Sequence, residues 1–319
     1  MQTHQRIILA GGSGFLGTRL AQHFSALSWE VVLLSRAPRG AQGPVRECGW
    51  DGRTVGPWAA ELEGATAVVN LTGRSVDCRY TAKNRREIVD SRVDSTRVIG
   101  EAIARCATPP RVWLNSSTAT LYRHTFGPAW DETSMDFTAA PEAKDAFSVE
   151  VGRAWEQAFD EARTPLTRKV PLRTTMVLGF GRNSVFPVLR RLTRLGLGGR
   201  MGNGRQYVSW IHAEDFCRAV AWLIAREDFS GPVNLAAPHP VTNAEMMRLY
   251  REVCGAPLGV GLPATEWMLE VGAFFLRTET ELILKSRRVV SRRLAEGGFE
   301  FRYTQLADAL RDLERRLPR

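Results

Sequence analysis

The chain has 319 residues and a formal net charge of +9 at pH 7; 44% of its residues are hydrophobic and 24% are charged. This composition excludes a wholly disordered chain, and at this length one large domain or two modest domains can bury an ample core. No apolar run approaches the roughly 18–20 residues that a membrane-spanning helix needs, and residues 1–6 lack the apolar core of a secretory signal. We therefore expect a cytoplasmic protein without a membrane partner.

The cysteines and the basic residues exclude two further classes of site. The five cysteines are odd in number and scattered, which predicts free thiols in a reducing compartment and no metal site. Arginines cluster at residues 190–194 and 287–293, but without the interleaved aromatic side chains on which nucleic-acid bases stack. We interpret both clusters as solvated helix faces and expect no nucleic-acid partner.

A glycine-rich segment stands near the start of the chain. It follows a short apolar run, Arg6 to Ala10, and precedes apolar residues at helical spacing; its members are Gly11, Gly12, Ser13, Gly14, Phe15, Leu16 and Gly17. Glycines at the first, fourth and seventh positions permit a tight turn, close approach to a pyrophosphate, and packing of the helix on the strand. A second apolar strand at residues 31–34 completes a βαβ unit, so we predict a dinucleotide site and not merely a tight turn.

The strand and helix signals alternate along the first half of the chain. Apolar strands are predicted at residues 67–71, 112–115 and 170–178, and helices from Arg85 to Cys106 and from Phe147 to Glu161. This alternation predicts an α/β fold, with a parallel sheet and helices on both faces.

The second half predicts a smaller lobe in two pieces. Residues 179–204 are rich in glycine and leave the sheet; the chain returns at 207–211, enters a helix from His212 to Ala225, and adds a strand at 233–235. Asp215 lies in the first turn of that helix, where a carboxylate complements the helix dipole. Further helices are predicted at 243–253, 265–276, 279–290 and 303–317. We therefore assign residues 1–179 and the return segment 207–235 to the dinucleotide domain, and 180–206 and 236–319 to a smaller, mostly helical substrate lobe.

Arg36 indicates which dinucleotide is bound. Dinucleotide-binding folds place a residue beside the adenosine ribose about 20 positions after the glycine segment, and an Asp or Glu there suits NAD. Here the second strand runs into Ser35-Arg36. A guanidinium at this point pairs with a 2′-phosphate, so we predict NADP(H). The alternative is that Arg36 merely ends the strand in solvent.

The segments above resemble the extended short-chain dehydrogenases/reductases, a family that includes nucleotide-sugar epimerases. The resemblance lies in GGSGFLG at 11–17, NLTG at 70–73 and SWIHAED at 209–215. A narrower resemblance, to uncharacterised "epimerase family" proteins with an extra helical C-terminal module, lies in WD at 50–51, VVNL at 68–71, DSRV at 90–93, RLGLGG at 194–199, PVN at 232–234 and LAEGGFEFRY at 294–303. It implies a Rossmann-type doubly wound sheet and a homodimer as a possible assembly, with the two long helices at 85–106 and 147–161 at its interface.

The resemblance also implies cofactor contacts beyond the glycine segment. Ser35 and Arg36 would hold the adenosine phosphate, and Leu71, Thr72 and Gly73 would line the path of the cofactor. Two residues of the long helix, Glu87 and Arg92, would approach the adenosine end. The alternative for both is an ordinary solvated side chain, since residues five apart lie on different flanks of a helix.

The wider family uses a Tyr as general acid/base, a Lys four residues later that lowers the pKa of the Tyr, and a Ser or Thr that orients the substrate oxygen. By resemblance Thr118 takes the orienting position; the alternative is a threonine that satisfies local backbone groups. When the motif is anchored on Glu156, the Tyr position falls on Ser148 and the Lys position on Gly152. Residues 145–160 contain no Tyr and no Lys, so the usual pair is missing.

Other residues could replace that pair, and we consider Tyr122 first among them. The remaining candidates are His124, Lys144, Asp145 and Glu150. His212 is interpreted as a structural residue at a helix start. Two hypotheses remain: an NADP(H)-dependent oxidoreductase or epimerase-like enzyme acting on a small polar substrate, and an NADP(H)-binding regulatory or scaffold protein with reduced catalysis.

Overall fold

The structure is a computed structural model that describes residues 5–38, 41–43, 45–181, 184–276 and 279–317. The chain start considered above (1–4) and residues 182 and 183 of the predicted excursion lie outside the described residues. The strands are β1 (Arg6–Ala10), β2 (Glu30–Ser35), β3 (Ala41–Gln42), β4 (Val45–Gly49), β5 (Ala67–Asn70), β6 (Val112–Thr118), β7 (Arg168–Thr174), β8 (Met176–Leu178), β9 (Tyr207–Val208), β10 (Trp210–His212), β11 (Val233–Leu235) and β12 (Val241–Thr242).

The helices alternate with these strands in the first half of the chain and dominate the second half. They are α1 (Phe15–Ala26), α2 (Ala82–Ala104), α3 (Ala146–Glu161), α4 (Val185–Leu192), α5 (Ala213–Ala225), α6 (Asn243–Cys254), α7 (Glu266–Leu276), α8 (Glu281–Leu284), α9 (Arg292–Glu296) and α10 (Leu306–Arg315). Within the described ranges, no helix combines the length and the apolar character needed to cross a membrane.

The main sheet has the order β11-β7-β6-β5-β1-β2-β4-β3, and its pairs are parallel except at the edge, where β3 runs antiparallel to β4. β1 lies between β2 and β5, so the strand order reverses beside β1. A sheet of this kind binds ligands outside the carboxyl ends of the strands, at the reversal. The predicted Rossmann-type doubly wound sheet is therefore confirmed, and its crevice lies at the end of β1.

The core has a layer on each face of the sheet, and β1 contributes alternate residues to the two layers. Ile7 and Leu9 pack with apolar residues of α1 and α5, whereas Ile8 and Ala10 pack with residues of α2 and α3. A separate apolar cluster joins α4, α6 and α10 around Trp210. The alternation along β1 follows from the strand period of two.

Two predicted elements are wrong in extent. The strand predicted at 170–178 divides at Thr175, because the Thr175 N–H pairs with Leu235 O while the Met176 N–H pairs with Ser209 O outside the main sheet. The helix predicted at 279–290 stops at Leu284. Beyond it, the N–H groups of Ser286 and Arg287 donate to His124 Nδ1 and Tyr207 O, so these residues bind other segments instead of continuing the helix.

Candidate functional site

The glycine segment forms a narrow turn between β1 and α1. Gly11 has φ +75°, in the left-handed region that favours glycine. A Cβ on Gly17 would lie 2.4 Å from Gly12 Cα, so the start of α1 packs directly on the turn. Gly14 is the N-cap of α1, and no side chain of the described residues caps this helix. The first N–H groups of α1 therefore stay available for an anion.

Neighbouring strand ends bring the other predicted cofactor residues to the same edge of the sheet. Ala10 pairs with Leu34 in β2 and with Asn70 in β5, so the segments that follow these strands leave side by side. A Cβ on Gly11 would lie 3.0 Å from the backbone of Thr72, which places the loop after β5 against the glycine turn. A dinucleotide that lies across the end of β1 would thus meet both loops.

Arg36 stands on the other side of the glycine turn, directly after β2. Its neighbour Ser35 is buried, and Ser35 Oγ accepts a hydrogen bond from the Ala37 N–H at 3.3 Å. Arg36 is exposed, and no carboxylate of the described residues lies within ion-pair distance of it. Its guanidinium is thus available to pair with an anionic group at the adenosine end.

Glu87 and Arg92 take different places on α2. Glu87 forms ion pairs with Arg74 and, at 4.0 Å, with Lys83, so its charge is engaged at the surface. Arg92 Nη1 donates to Arg74 O at 3.0 Å and Ile88 O at 2.9 Å, and the guanidinium lies 5.0 Å from the centre of the Trp155 ring. Burial lowers the pKa of Arg92 to about 10, which leaves it positively charged at neutral pH.

A cavity of about 440 Å³ opens beside the glycine turn. It receives side chains from the start of α1, the end of β6, the start of α3 and the segment from β7 to α4. Its described lining comprises Phe15, Leu16, Val76, Tyr80, Arg92, Ser117, Thr118, Thr120, Phe147, Ser148, Val151, Trp155, Thr174, Thr175, Met176, Val177, Ser184, Val185 and Leu282. This mixture of hydroxyl, aromatic and cationic groups suits a small polar molecule.

Thr118 is the predicted catalytic residue that lines this cavity. Its Oγ1 accepts a hydrogen bond from the Thr120 N–H at 3.1 Å, which is the local role that we considered as the alternative. The hydroxyl retains its own proton, so it can still donate to an oxygen in the cavity.

Tyr122 is only 1% exposed and is not among the described residues that line the cavity. Its hydroxyl donates to Asn234 Oδ1 at 2.9 Å and accepts from Arg173 Nη1 at 3.0 Å. Arg173 in turn forms a bidentate ion pair with Glu156. Burial raises the pKa of Tyr122, so at neutral pH the phenol stays protonated within this network. Tyr122 therefore links β11 to β7 through its hydrogen bonds to Asn234 and Arg173, outside the described lining of the cavity.

The described lining of the cavity also includes none of the other four substitutes. His124 Nδ1 accepts from the Ser286 N–H at 3.0 Å, and Lys144 pairs with Glu270 at 2.8 Å on the surface. Asp145 pairs with Lys285 at 2.6 Å in full burial. Glu150 is exposed on α3.

The sequence motifs did not predict that Tyr80 and Glu281 belong to the site. The fold brings these two residues to it from distant segments. Tyr80 lines the cavity, and Glu281 receives a hydrogen bond from the lining residue Ser148 across 133 positions of the chain. No spacing motif could have joined these residues. The only signal was that the expected Tyr position carries a serine, which left a role unfilled.

His212 has the structural role that the sequence predicted. It is the N-cap of α5, and its Nδ1 accepts a hydrogen bond from the Glu214 N–H at 3.1 Å. The interpretation of the two arginine clusters as solvated helix faces is wrong for Arg190. This residue is mostly buried in a bidentate ion pair with Glu314.

Comparison with known proteins places the chain in a family. Residues 7–236 match the model described as the NAD dependent epimerase/dehydratase family, and residues 264–313 match a model described as a domain of unknown function (DUF1731). The bovine (Bos taurus) epimerase family protein SDR39U1 is 33% identical over 316 residues, which cover 97% of this chain and 99% of that protein.

Solved structures agree with this assignment. The crystal structure of human epimerase family protein SDR39U1 (isoform 2) with NADPH has a TM-score of 0.85 and 28% identity, and the match covers 98% of this chain and 100% of that one. MoeE5, solved in complex with UDP-glucuronic acid and NAD, has a TM-score of 0.76 over 98% of this chain and 99% of its own; at 20% identity it shows the fold alone. The resemblance read from the sequence motifs is thus confirmed: the chain belongs to the NAD dependent epimerase/dehydratase family, within the extended short-chain dehydrogenases/reductases.

Proposed function

We propose that this protein binds NADP(H) and acts on a small polar substrate, as an oxidoreductase or epimerase-like enzyme of the extended short-chain dehydrogenase type. The observation that carries the proposal is the shared cavity wall. Phe15 and Leu16, at the start of α1, line the same space as Thr118, at the end of β6. A nucleotide held at the glycine turn could therefore extend its nicotinamide towards a hydroxyl that orients a substrate oxygen.

The preference for the phosphorylated nucleotide rests on Arg36. Its exposed guanidinium at the end of β2 suits a bidentate contact with a 2′-phosphate. The human relative crystallised with NADPH supports the same choice. Gly11, Ser13, Gly14 and Gly17 would hold the pyrophosphate, while Leu71, Thr72, Gly73, Glu87 and Arg92 remain proposed contacts along the nucleotide.

We infer that the general acid/base differs from the Tyr–Lys pair of the wider family. When the motif is anchored on Glu156, the two positions fall on Ser148 and Gly152. A Cβ on Gly152 would lie 2.7 Å from the Leu121 side chain and 3.2 Å from Thr118 Cγ2, so a lysine could not enter here without displacing both residues. The local packing therefore supports a site built without that lysine.

The absence of Tyr and Lys from the sequence of residues 145–160 also favours a second candidate function. An NADP(H)-binding regulatory or scaffold protein would keep the glycine turn and need no acid/base. We favour the enzyme because eight hydroxyl-bearing residues line the cavity beside the proposed nicotinamide position: Tyr80, Ser117, Thr118, Thr120, Ser148, Thr174, Thr175 and Ser184.

Two measurements test the proposal. Titration of the purified protein with NADPH and with NADH should show tighter binding of NADPH by roughly tenfold or more, which corresponds to one charge-assisted pairing. Equal affinities would contradict the choice of nucleotide. A small-molecule extract added to the NADPH complex should then oxidise the nucleotide, and Thr118→Val should slow this oxidation without weakening NADPH binding. Absence of oxidation would favour the scaffold function.

A further inference from the structure

Ser148 and Glu281 form a buried contact at the wall of the cavity. Ser148, in the first turn of α3, lines the cavity, and its Oγ donates to Glu281 Oε2 at 2.6 Å. Glu281 begins α8 in the C-terminal module and is only 4% exposed. The module therefore places a carboxylate against Ser148, the residue to which the motif anchored on Glu156 assigns the tyrosine of the wider family.

The second oxygen of Glu281 is less well satisfied. Among the described residues no donor is within hydrogen-bond distance of Oε1, and Arg287 Nη2 lies 3.6 Å from it. A buried carboxylate whose role was only to anchor α8 would be expected to use both oxygens. This carboxylate instead combines one incomplete ion pair with one bond to a hydroxyl that faces the cavity.

The titratable groups around Glu281 come from three segments. Asp145 precedes α3, Tyr80 follows β5, and Lys285 and Arg287 follow α8. Lys285 is already paired with Asp145 at 2.6 Å and donates to Thr120 O at 2.6 Å. Burial raises the pKa of Glu281, while Arg287, the Ser148 hydroxyl and Lys285 oppose that rise. Burial and the Glu281 charge raise the pKa of Tyr80 to about 12, so this phenol stays protonated at neutral pH.

We propose that Ser148 and Glu281 are the proton-transfer pair of this enzyme, with Ser148 touching the oxygen of a secondary alcohol or ketone and Glu281 acting through Ser148. This inference rests on the proposed function. The bound nicotinamide nucleotide supplies two-electron hydride chemistry, which leaves the chain itself only a proton to move. Ser148 is thus a catalytic residue. Glu281 is a positioning residue, which acts through Ser148 by accepting its proton and returning it.

The transfer balances in both directions. On oxidation, the alcohol carbon loses a hydride to the oxidised nucleotide, and the alcohol oxygen passes its proton to Ser148 Oγ as the Ser148 proton moves to Glu281 Oε2. The C–O bond becomes C=O, and Glu281 ends as a carboxylic acid. Reduction runs the same steps backwards. Because one proton leaves the serine as another arrives, the serine never needs to carry a full charge.

The test uses nucleotide binding, so it needs no known substrate. Oxidised nicotinamide carries a positive charge that the reduced ring lacks, and a nearby carboxylate binds it better when ionised. The affinity ratio of NADP⁺ to NADPH should therefore rise about fivefold or more as the pH increases above about 4.5, the ordinary pKa of a glutamate, because burial moves the Glu281 titration to higher pH. The 2′-phosphate is common to both nucleotides, so its own titration cancels in this ratio.

Three variants separate the pair from its surroundings. Glu281→Gln should make the ratio independent of pH. Ser148→Ala should move the midpoint to higher pH, because the carboxylate loses the hydrogen bond that favours its charged form. Glu270→Gln removes an exposed carboxylate of the same module and should behave as wild type. Thermal unfolding shows whether each variant is folded, and if Glu281→Gln is not, the shift in Ser148→Ala decides.

Any of three results would overturn the assignment of Ser148 and Glu281 as the proton-transfer pair. These are an affinity ratio of NADP⁺ to NADPH that does not change with pH in the wild type, a pH dependence that persists in Glu281→Gln, and an unchanged midpoint in Ser148→Ala. If neither nucleotide binds the wild type at any pH, the proposed function fails instead. The two failures are therefore distinguishable.

Discussion

The carboxylate of Asp215 accepts a hydrogen bond from the backbone N–H of Tyr303 at 2.8 Å, although 88 positions separate the two residues. The other oxygen of Asp215 accepts from the Arg302 N–H at 2.9 Å. Asp215 is fully buried in the first turn of α5, and the Tyr303 ring lies 4.0 Å from the ring of His212 beside it. The start of α5 thus holds the chain that leads into α10 and fixes the C-terminal module on the sheet domain.

His212 is buried beside this contact, and its burial makes the stability of the fold sensitive to acid. Burial lowers the pKa of His212 to about 4, and its side chain is 2% exposed. The unfolded chain binds a proton below about pH 6.5, whereas the folded chain stays neutral until about pH 4. Stability should therefore be complete above about pH 6.5 and fall by up to about 3 kcal/mol as the pH drops towards 4.

Urea unfolding at several pH values measures this effect. His212→Asn keeps an acceptor at the N-cap and should show a smaller loss of stability between about pH 6.5 and about pH 4. His239→Asn changes an exposed histidine and should follow the wild type. Equal acid sensitivity in the wild type and in His212→Asn would mean that His212 is not the group that titrates.

Arg36→Asp tests the choice of nucleotide. It should weaken NADPH binding by about 1–3 kcal/mol and leave NADH nearly unchanged, because only NADPH carries the 2′-phosphate. Arg163→Asp makes the same change of charge at an exposed residue after α3, at the opposite edge of the sheet, and should affect neither nucleotide. If Arg36→Asp weakened both nucleotides equally, Arg36 would be misassigned.

Alanine at Gly14 and at Gly17 should separate binding from folding. A Cβ on Gly17 would collide with the Gly12 backbone at 2.4 Å, so Gly17→Ala should destabilise the fold by about 1–3 kcal/mol. A Cβ on Gly14 has 3.6 Å to its nearest neighbour, so Gly14→Ala should fold normally. It should nevertheless weaken NADPH, because the added methyl group lies where the phosphates approach. Normal NADPH binding by Gly14→Ala would argue against this placement of the phosphates.

Tyr122→Phe tests whether the Tyr122 hydroxyl stabilises the fold. It removes the hydroxyl shared by Arg173 and Asn234, so unfolding free energy should fall by about 1–3 kcal/mol while NADPH affinity stays constant. Tyr250 is the matched control, since its buried hydroxyl has no hydrogen-bond partner among the described residues. Tyr250→Phe should cost no stability. A loss of NADPH oxidation in Tyr122→Phe at unchanged stability would return Tyr122 to the catalytic residues.

The sequence predicted the parallel sheet and its flanking helices well because their signals are local. The apolar runs at 31–34 and 233–235, the glycine turn and the N-cap at His212 each depend on a few neighbouring residues. β4 was missed because Val45–Gly49 is only half-buried and lacks the apolar run of a central strand. The helix predicted at 279–290 failed because Lys285 and Arg287 bond to distant segments, which periodicity does not reveal.

The candidate site was predictable only where it follows the glycine turn. Thr118 could be named from its motif, since it is the last residue of a strand. Glu281 could not, because its place depends on the docking of a module more than 100 residues beyond α3. The hydrogen bond of Tyr122 likewise required the position of Asn234, which lies in a strand at the far edge of the sheet.

A crystal structure of this protein with NADPH would show whether the nicotinamide enters the cavity. We expect the 2′-phosphate beside Arg36 and the nicotinamide in the cavity, with Thr118 and Ser148 on the side of the ring from which hydride leaves. A titratable or hydroxyl side chain should then lie within about 4 Å of the reactive carbon, close enough to reach the oxygen of a substrate bound there. A nicotinamide that faces only apolar side chains, or that lies outside the cavity, would contradict the enzyme function.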